Sequence, residues 1–307
     1  MANIIAVIWD FDKTLLQGYM QDPIFKHYQI DGDTFWEEVN NLPEKYWKTQ
    51  NVHVNRDTIY LNHFLHYVKS GKFKGLTNEK MRKFGKELEF YPGLPDFFKR
   101  TVDEVENNPR YSEYDIKVQH FVVSTGLLEI IKGCNIFPYI KDAWACEFIE
   151  TTDENGEKTI SEIGYTIDNT SKTRALFEIN KGVAHMNEKP DNEINVNTKI
   201  PEASRKVHFK NMIYIADGPS DIPAFSVIKQ FNGSTFAVYP KGNVEAMNQV
   251  EQLRREGRVH MYAEADYREN TTTDLWIRQK IKALAEQIRN EEKAKLTKFA
   301  NPPLKHL

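Results

Sequence analysis

The sequence predicts an α/β protein: a mainly parallel sheet covered on both faces by helices, with an all-helical unit inserted after the first strand. Three observations carry this. Outside residues 17–90, short apolar runs alternate with helical segments, as chains of parallel strands and crossover helices do. Three of those runs end in polar residues, Asp10-Phe11-Asp12, Ser124-Thr125 and Asp217-Gly218. Residues 17–90 have helical spacing and little β pattern.

Ile4-Ile5-Ala6-Val7-Ile8-Trp9 reads as a buried strand that runs into Asp10. It is too short for a signal-peptide core and lacks a basic leader. In the insertion, Asp33-Thr34-Phe35-Trp36 resembles a capped helix start, Ile59 to Val68 form an apolar stripe, and Thr77 opens a third helix. The turn Tyr91-Pro92-Gly93-Leu94-Pro95 returns the chain to α/β texture. A helix around Phe97–Val105 precedes the strand His120–Val123, and a further helix is expected at Leu127–Ile131. Residues 146–167 read as a hairpin around Asp153-Glu154-Asn155-Gly156. Thr170-Ser171-Lys172 opens a helix, 185–206 is a polar surface loop, and Met212–Ala216 and Phe236–Tyr239 are strands. Residues 273–299 form a charged amphipathic helix, packed on the core or offered to a partner. The expected organisation is a core of 1–16 and 91–272, a helical insertion over 17–90, and a C-terminal helix and tail over 273–307.

Composition removes several functions. The chain has 307 residues, with 41 Lys+Arg against 44 Asp+Glu, 40% hydrophobic and 12% aromatic. That is too apolar for a disordered chain. Its charge is too balanced for nucleic acid. No run approaches the roughly 20 apolar residues of a membrane span. Cys134 and Cys146 make no disulfide framework, so two unreactive thiols in a reducing cytoplasm are expected.

In a parallel sheet the ligand crevice lies at the carboxyl ends of the strands. The polar strand ends above therefore converge on one expected site. Asp10 and Asp12 set like charges together, which requires a cation or a proton. Asp217 and Asp221 bring further carboxylates to the same rim. An all-oxygen cluster suits a hard divalent cation such as Mg²⁺. Lys172 and Ser124, with amides of the following helix, can hold anionic oxygens. A carboxylate nucleophile, a metal, a lysine and a hydroxyl together suit phosphoryl transfer.

Ile8-Trp9-Asp10-Phe11-Asp12-Lys13-Thr14-Leu15 resembles the hhhDxDxT signature of the haloacid dehalogenase-like (HAD) hydrolase superfamily. The strand ending at Ser124, then Lys172, then Ala216-Asp217-Gly218-Pro219-Ser220-Asp221 resemble its second, third and fourth motifs in order. The resemblance implies a three-layer Rossmann-like parallel sheet with an inserted helical cap. It implies that Asp10 is the nucleophile and a Mg²⁺ ligand. Asp12 would be the general acid and base, its backbone carbonyl also touching the metal. Asp217 would be a metal ligand, and Ser124, with Thr125 and Lys172, would bind phosphate. Thr14 supports the Asp10 loop and Gly218 the fourth-motif loop. Asp221 completes the cluster directly, through water, or by pairing with Lys172. Dehalogenases of the superfamily lack the second acid, so Asp12 points to phosphoryl transfer.

The insertion resembles the C1-type cap of phosphoserine phosphatases, with Lys45, Tyr46, Trp47, Lys48 and Arg56 as candidate substrate contacts. Those enzymes carry an acid shortly after the first motif. Here the stretch is Gln17-Gly18-Tyr19-Met20-Gln21, with Asp22 slightly later, which speaks against phosphoserine. The expected function is Mg²⁺-dependent hydrolysis of a small phosphorylated metabolite through an aspartyl-phosphate, without nucleic-acid or membrane partners. The alternatives are a phosphotransferase or mutase of the same superfamily, and a catalytically silent binding protein on the same fold.

Overall fold

The computed structural model describes residues 3–186 and 194–300, with side chains described to residue 297. Strand β1 (Asn3–Trp9) leads into four helices, α1 (Asp22–Tyr28), α2 (Gly32–Gln50), α3 (Ile59–Lys69) and α4 (Asn78–Phe84). Helices α5 (Asp96–Glu106) and α6 (Pro109–Ser112) precede β2 (Ile116–Leu127), α7 (Leu128–Gly133), β3 (Ile140–Thr152), β4 (Lys158–Tyr165) and α8 (Lys172–Lys181). The chain continues through β5 (Met212–Ala216), α9 (Ile222–Gln230), β6 (Ser234–Tyr239), α10 (Val244–Arg255), β7 (Met261–Glu264) and α11 (Thr272–Ala300). The sheet order is β4-β3-β2-β1-β5-β6-β7, and β4 alone is antiparallel to its neighbour. This is the α/β architecture expected, with helices α1–α4 inserted between β1 and β2.

Several elements depart from the sequence pattern. The expected start of the second-motif helix at Leu127 gives way to strand: β2 extends to Leu127, so Ser124 and Thr125 lie in extended backbone. Leu127 pairs with Cys146 beyond a register shift, and that pairing holds the segment extended. The first long cap helix is capped by Asp31, whose carboxylate accepts from the Thr34 amide, and begins at Gly32 rather than at Asp33-Thr34. The hairpin strand expected from Cys146 starts earlier, because Ile140–Trp144 pair in parallel with β2. Of the surface loop expected over 185–206, residues 187–193 lie outside the described part, as do residues 1–2 and the tail from 301.

The apolar stripe of α11 is buried on the core: Ile277 and Ile281 are fully covered, and Ile288 nearly so. Arg100 donates to the buried Asp274 at 3.0 Å, and Arg278 makes a two-bond pair with Glu104 at 2.9 and 3.0 Å. Such paired, hydrogen-bonded charges fix the helix on α5. Among the described residues no helix is long and apolar enough to cross a membrane.

The cap is joined to the core at a backbone-to-backbone contact. A Cβ on Gly133 would run into the Arg82 carbonyl oxygen, and one on Gly85 into that of Ile130. Neither obstacle is the end of a flexible chain. Gly133→Ala is therefore expected to cost about 1–3 kcal/mol as overpacking, read as a lower denaturation midpoint, although alanine favours a helix elsewhere.

Beneath the sheet's active edge, His120 is fully enclosed. Its Nδ1 accepts from the Trp9 indole at 3.1 Å, and its Nε2 faces Thr101 Oγ1 at 2.9 Å. Thr101 already donates to the Phe98 carbonyl at 2.8 Å, so Nε2 carries the proton and the ring is neutral. Burial pushes the His120 pKa down from 6.5 to about 3, against a raising contribution from Phe98. The unfolded chain thus takes up this proton first. The contribution is fully present above about pH 6.5 and is lost as pH falls toward 3, amounting to about 2 kcal/mol by pH 5. A His120→Phe variant should show a shallower loss of melting temperature between pH 7 and pH 5 than the wild type. Parallel curves would refute this.

Candidate active site

Parallel pairing brings the strand ends into line. Trp9 is level with Val122 of β2 and with Ile215 of β5, so the residues just beyond these meet at one edge. The Asp10 amide still bonds the Ile215 carbonyl at 2.9 Å, which fixes the start of the loop. Lys172 reaches the same place from the first turn of α8. Asp10, Asp12, Ser124, Thr125, Lys172 and Asp217 all line one cavity of about 170 Å³.

Lys172 is 1% exposed and donates to Asp10 Oδ1 at 2.8 Å and to Asp221 Oδ1 at 2.7 Å. Burial alone would lower its pKa, but the Asp10 and Asp221 carboxylates outweigh burial and hold the ammonium charged. The other Asp10 oxygen accepts from Thr14 Oγ1 at 3.2 Å. The Thr14 carbonyl is in turn held by the Tyr267 hydroxyl at 2.6 Å. Asp221 is fully buried and also accepts from Tyr214 Oη at 2.5 Å and Ser220 Oγ at 2.9 Å. Of the three arrangements open for Asp221, direct pairing with Lys172 is the one present.

The carboxylates are poised differently. Burial, with the Asp221 charge adding and Lys172 opposing, pushes Asp10 up to about 6, so it is ionised at neutral pH. Burial and then the Asp10 charge hold Asp12 well above the ordinary value, against the Met20 amide that donates to its Oδ1 at 2.9 Å. Burial, then Asp10 and Asp221, push Asp217 up to about 7.

Asp10, Asp217 and Asp221 each offer a carboxylate oxygen, and these oxygens lie within 4.8 Å of one another. The set contains oxygen donors only, which fits a hard divalent cation. Asp217 fits best, since no hydrogen-bond donor meets its carboxylate among the described residues. Asp221 is already occupied by Lys172, Tyr214 and Ser220. The Asp12 side chain stands outside this triad, bonded to Met20.

Ser124 Oγ accepts from the Gly126 amide at 3.0 Å within the cavity wall. The Thr125 carbonyl is held by Tyr60 Oη of the cap at 2.8 Å. Gly218 is buried between Asp217 and the turn that carries Asp221. None of Lys45, Tyr46, Trp47, Lys48 and Arg56 lines the catalytic cavity. Trp47 is 48% exposed and stacks on His53, Lys48 pairs with Glu44, and Lys45 and Tyr46 line a separate cavity with His63 and His66. The cap instead meets the core through Tyr60, Asn55 and Asp57; Asn55 donates to Asp168 at 2.9 Å, and Asp57 accepts from the Asn169 amide at 3.1 Å. Both thiols are buried, and burial pushes each up to about 11.

A protein of Borreliella burgdorferi, described as uncharacterized, is 37% identical over 292 residues, covering 91% of this chain and 97% of that protein. The first, second and fourth motifs stand on the adjoining ends of β1, β2 and β5, the third opens α8, and helices α1–α4 lie between the first two. The chain belongs to the family of that protein. No protein-family model matches it. Among solved structures, this chain is similar to a HAD family hydrolase of Salmonella enterica serovar Typhi (13% identity, 85% of this chain and 67% of that one, TM-score 0.49). It is also similar to a phosphoserine phosphatase (15% identity, 88% and 97%, TM-score 0.49) and to cytosolic 5'-nucleotidase IIIB (11% identity, 94% and 87%, TM-score 0.47).

Proposed function

We propose that the protein is a Mg²⁺-dependent phosphatase that hydrolyses a small phosphomonoester through an aspartyl-phosphate on Asp10. The observation that carries this reading is the bracing of Asp10. One oxygen is held by Lys172 and the other by Thr14, at the wall of a cavity that Asp12, Ser124 and Asp217 share. A nucleophile so fixed loses little freedom on reaction.

Asp10 attacks phosphorus as the bond to the leaving oxygen breaks, and Asp12 delivers its proton to that oxygen. Asp12 then accepts a proton from the water that opens the aspartyl-phosphate. Lys172 keeps Asp10 ionised and aimed, while Ser124 and Thr125 hold phosphoryl oxygens. Asp10 and Asp217, with the Asp12 carbonyl, would hold Mg²⁺, which supplies charge neutralisation at the phosphoryl oxygens. The raised value of Asp12 supports its role as the acid, since the proton must be present before it is given.

A panel of phosphomonoesters assayed with Mg²⁺ and again with EDTA tests the reading. Turnover of at least one small ester, abolished by EDTA and restored by Mg²⁺, is expected. Turnover unchanged in EDTA would overturn the metal-dependent scheme.

A further inference from the structure

The catalytic cavity has a neighbour. A groove of about 470 Å³ lies against it, lined by Gln17, Gly18, Asp22, Lys26, Glu87 and Glu89 among others. Tyr19 lines both and is the residue they share among the described residues. Its hydroxyl lies 2.6 Å from Lys13 Nζ, which sits 4.3 Å from the centre of the same ring. On the cap side the ring lies 5.8 Å from Trp36, which lies 5.8 Å from Tyr60, whose hydroxyl holds the Thr125 carbonyl. A row of three rings thus links the wall shared by the two cavities to the second motif.

The cap around those rings is tied down on several sides. Asn78 donates through its amide to Glu150 at 2.6 Å and through its side chain to the Phe148 carbonyl at 3.0 Å, and the Ile160 amide bonds Leu76 at 3.0 Å. Asn55 and Asp57 bind the loop before α8, and the Tyr91 amide bonds the Leu15 carbonyl at 2.9 Å between the two cap linkers. The glycine contact of α4 with α7 adds a joint without side chains. Tyr19, by contrast, is 39% exposed and held at its tip by one flexible lysine. It is a bulky, exposed wall of the cavity that a side-chain rotation can move.

We propose that Tyr19, latched by Lys13, is the size gate of this site: closed, it confines the substrate's leaving group to the small cavity, and open, it joins that cavity to the groove. The inference rests on the phosphomonoester reading and deepens it, naming compact esters as the class accepted in the latched state. A cavity of about 170 Å³ falls below the roughly 300–1,000 Å³ of sites for drug-sized ligands. It holds a phosphoryl group and a few further atoms.

Phosphonates test the gate without turnover, because their carbon–phosphorus bond is not cleaved. Binding of methylphosphonate and of 1-naphthylmethylphosphonate to the full chain with Mg²⁺ is measured by calorimetry. The wild type is expected to prefer the methyl compound by at least about tenfold, and Tyr19→Ala to bring the two within about threefold by tightening the naphthyl compound. Tyr19→Phe and Lys13→Met, which each break the latch and keep the ring or its site, should fall between. An unchanged ratio in Tyr19→Ala, equal binding by the wild type, or binding of neither compound would overturn the gate. Relief of selectivity in a protein that hydrolyses no ester would sink the hydrolytic reading and leave the gate standing. Turnover with selectivity unrelieved would sink the gate alone.

Discussion

Asp10→Asn is expected to lower phosphomonoester hydrolysis by roughly 10⁴- to 10⁶-fold, the scale at which removal of a covalent nucleophile acts. No neighbour can take over. Asp12 is engaged with the Met20 amide, Asp221 is enclosed by Lys172, Tyr214 and Ser220, and Asp217 stands on a different strand end. The fold should survive, since asparagine keeps the shape and Lys172 keeps Asp221 as a partner. Initial rates on the best ester of the panel, with melting temperatures alongside, decide the matter. A variant within about tenfold of the wild type would remove Asp10 from the role of nucleophile.

Lys172→Met is expected to strike both stability and rate. It removes the one cation that bridges two buried carboxylates, and breaking a buried pair from one side costs about 3–5 kcal/mol because the remaining charge has no partner. The denaturation midpoint should fall accordingly, and hydrolysis by at least about 10³-fold as Asp10 loses its orientation and its charge partner. A second substitution separates the two effects. Lys172→Met with Asp221→Asn no longer strands the Asp221 charge, so stability should partly return while activity stays lost. Recovery of activity together with stability would mean that Lys172 serves the fold alone.

Much of the core was legible because its signals are local. The apolar run before Asp10 and the run Met212–Ala216 are strands bounded much as their patterns suggest, and Asp10, Asp12, Ser124, Lys172 and Asp217 lie at one cavity. Less legible were features that depend on distant partners. Strand β7, Met261–Glu264, is a four-residue edge strand, half-buried, with no long apolar run to announce it. Ser124 and Thr125 stay extended because β3 pairs beyond them, which no local pattern states. Tyr214 carried a usable signal: a tyrosine inside a fully buried strand must find a partner for its hydroxyl, and it finds Asp221. Tyr60 and Tyr267 carried none, since their partners are main-chain carbonyls 65 and 253 positions away. The basic and aromatic cap residues from Lys45 to Arg56 had suggestive chemistry, but none of them lines the crevice.

The bond from Tyr267 to the Thr14 carbonyl has a consequence in time. The loop that carries Asp10 is made first, and its brace arrives 253 positions later. At the usual pace of about 5–20 residues per second, that is roughly 13–50 seconds of synthesis. Until then the nascent chain holds Asp10 on an unbraced loop. The brace on the Asp10 loop is therefore acquired only once the segment between β7 and α11 has been made and has packed against it.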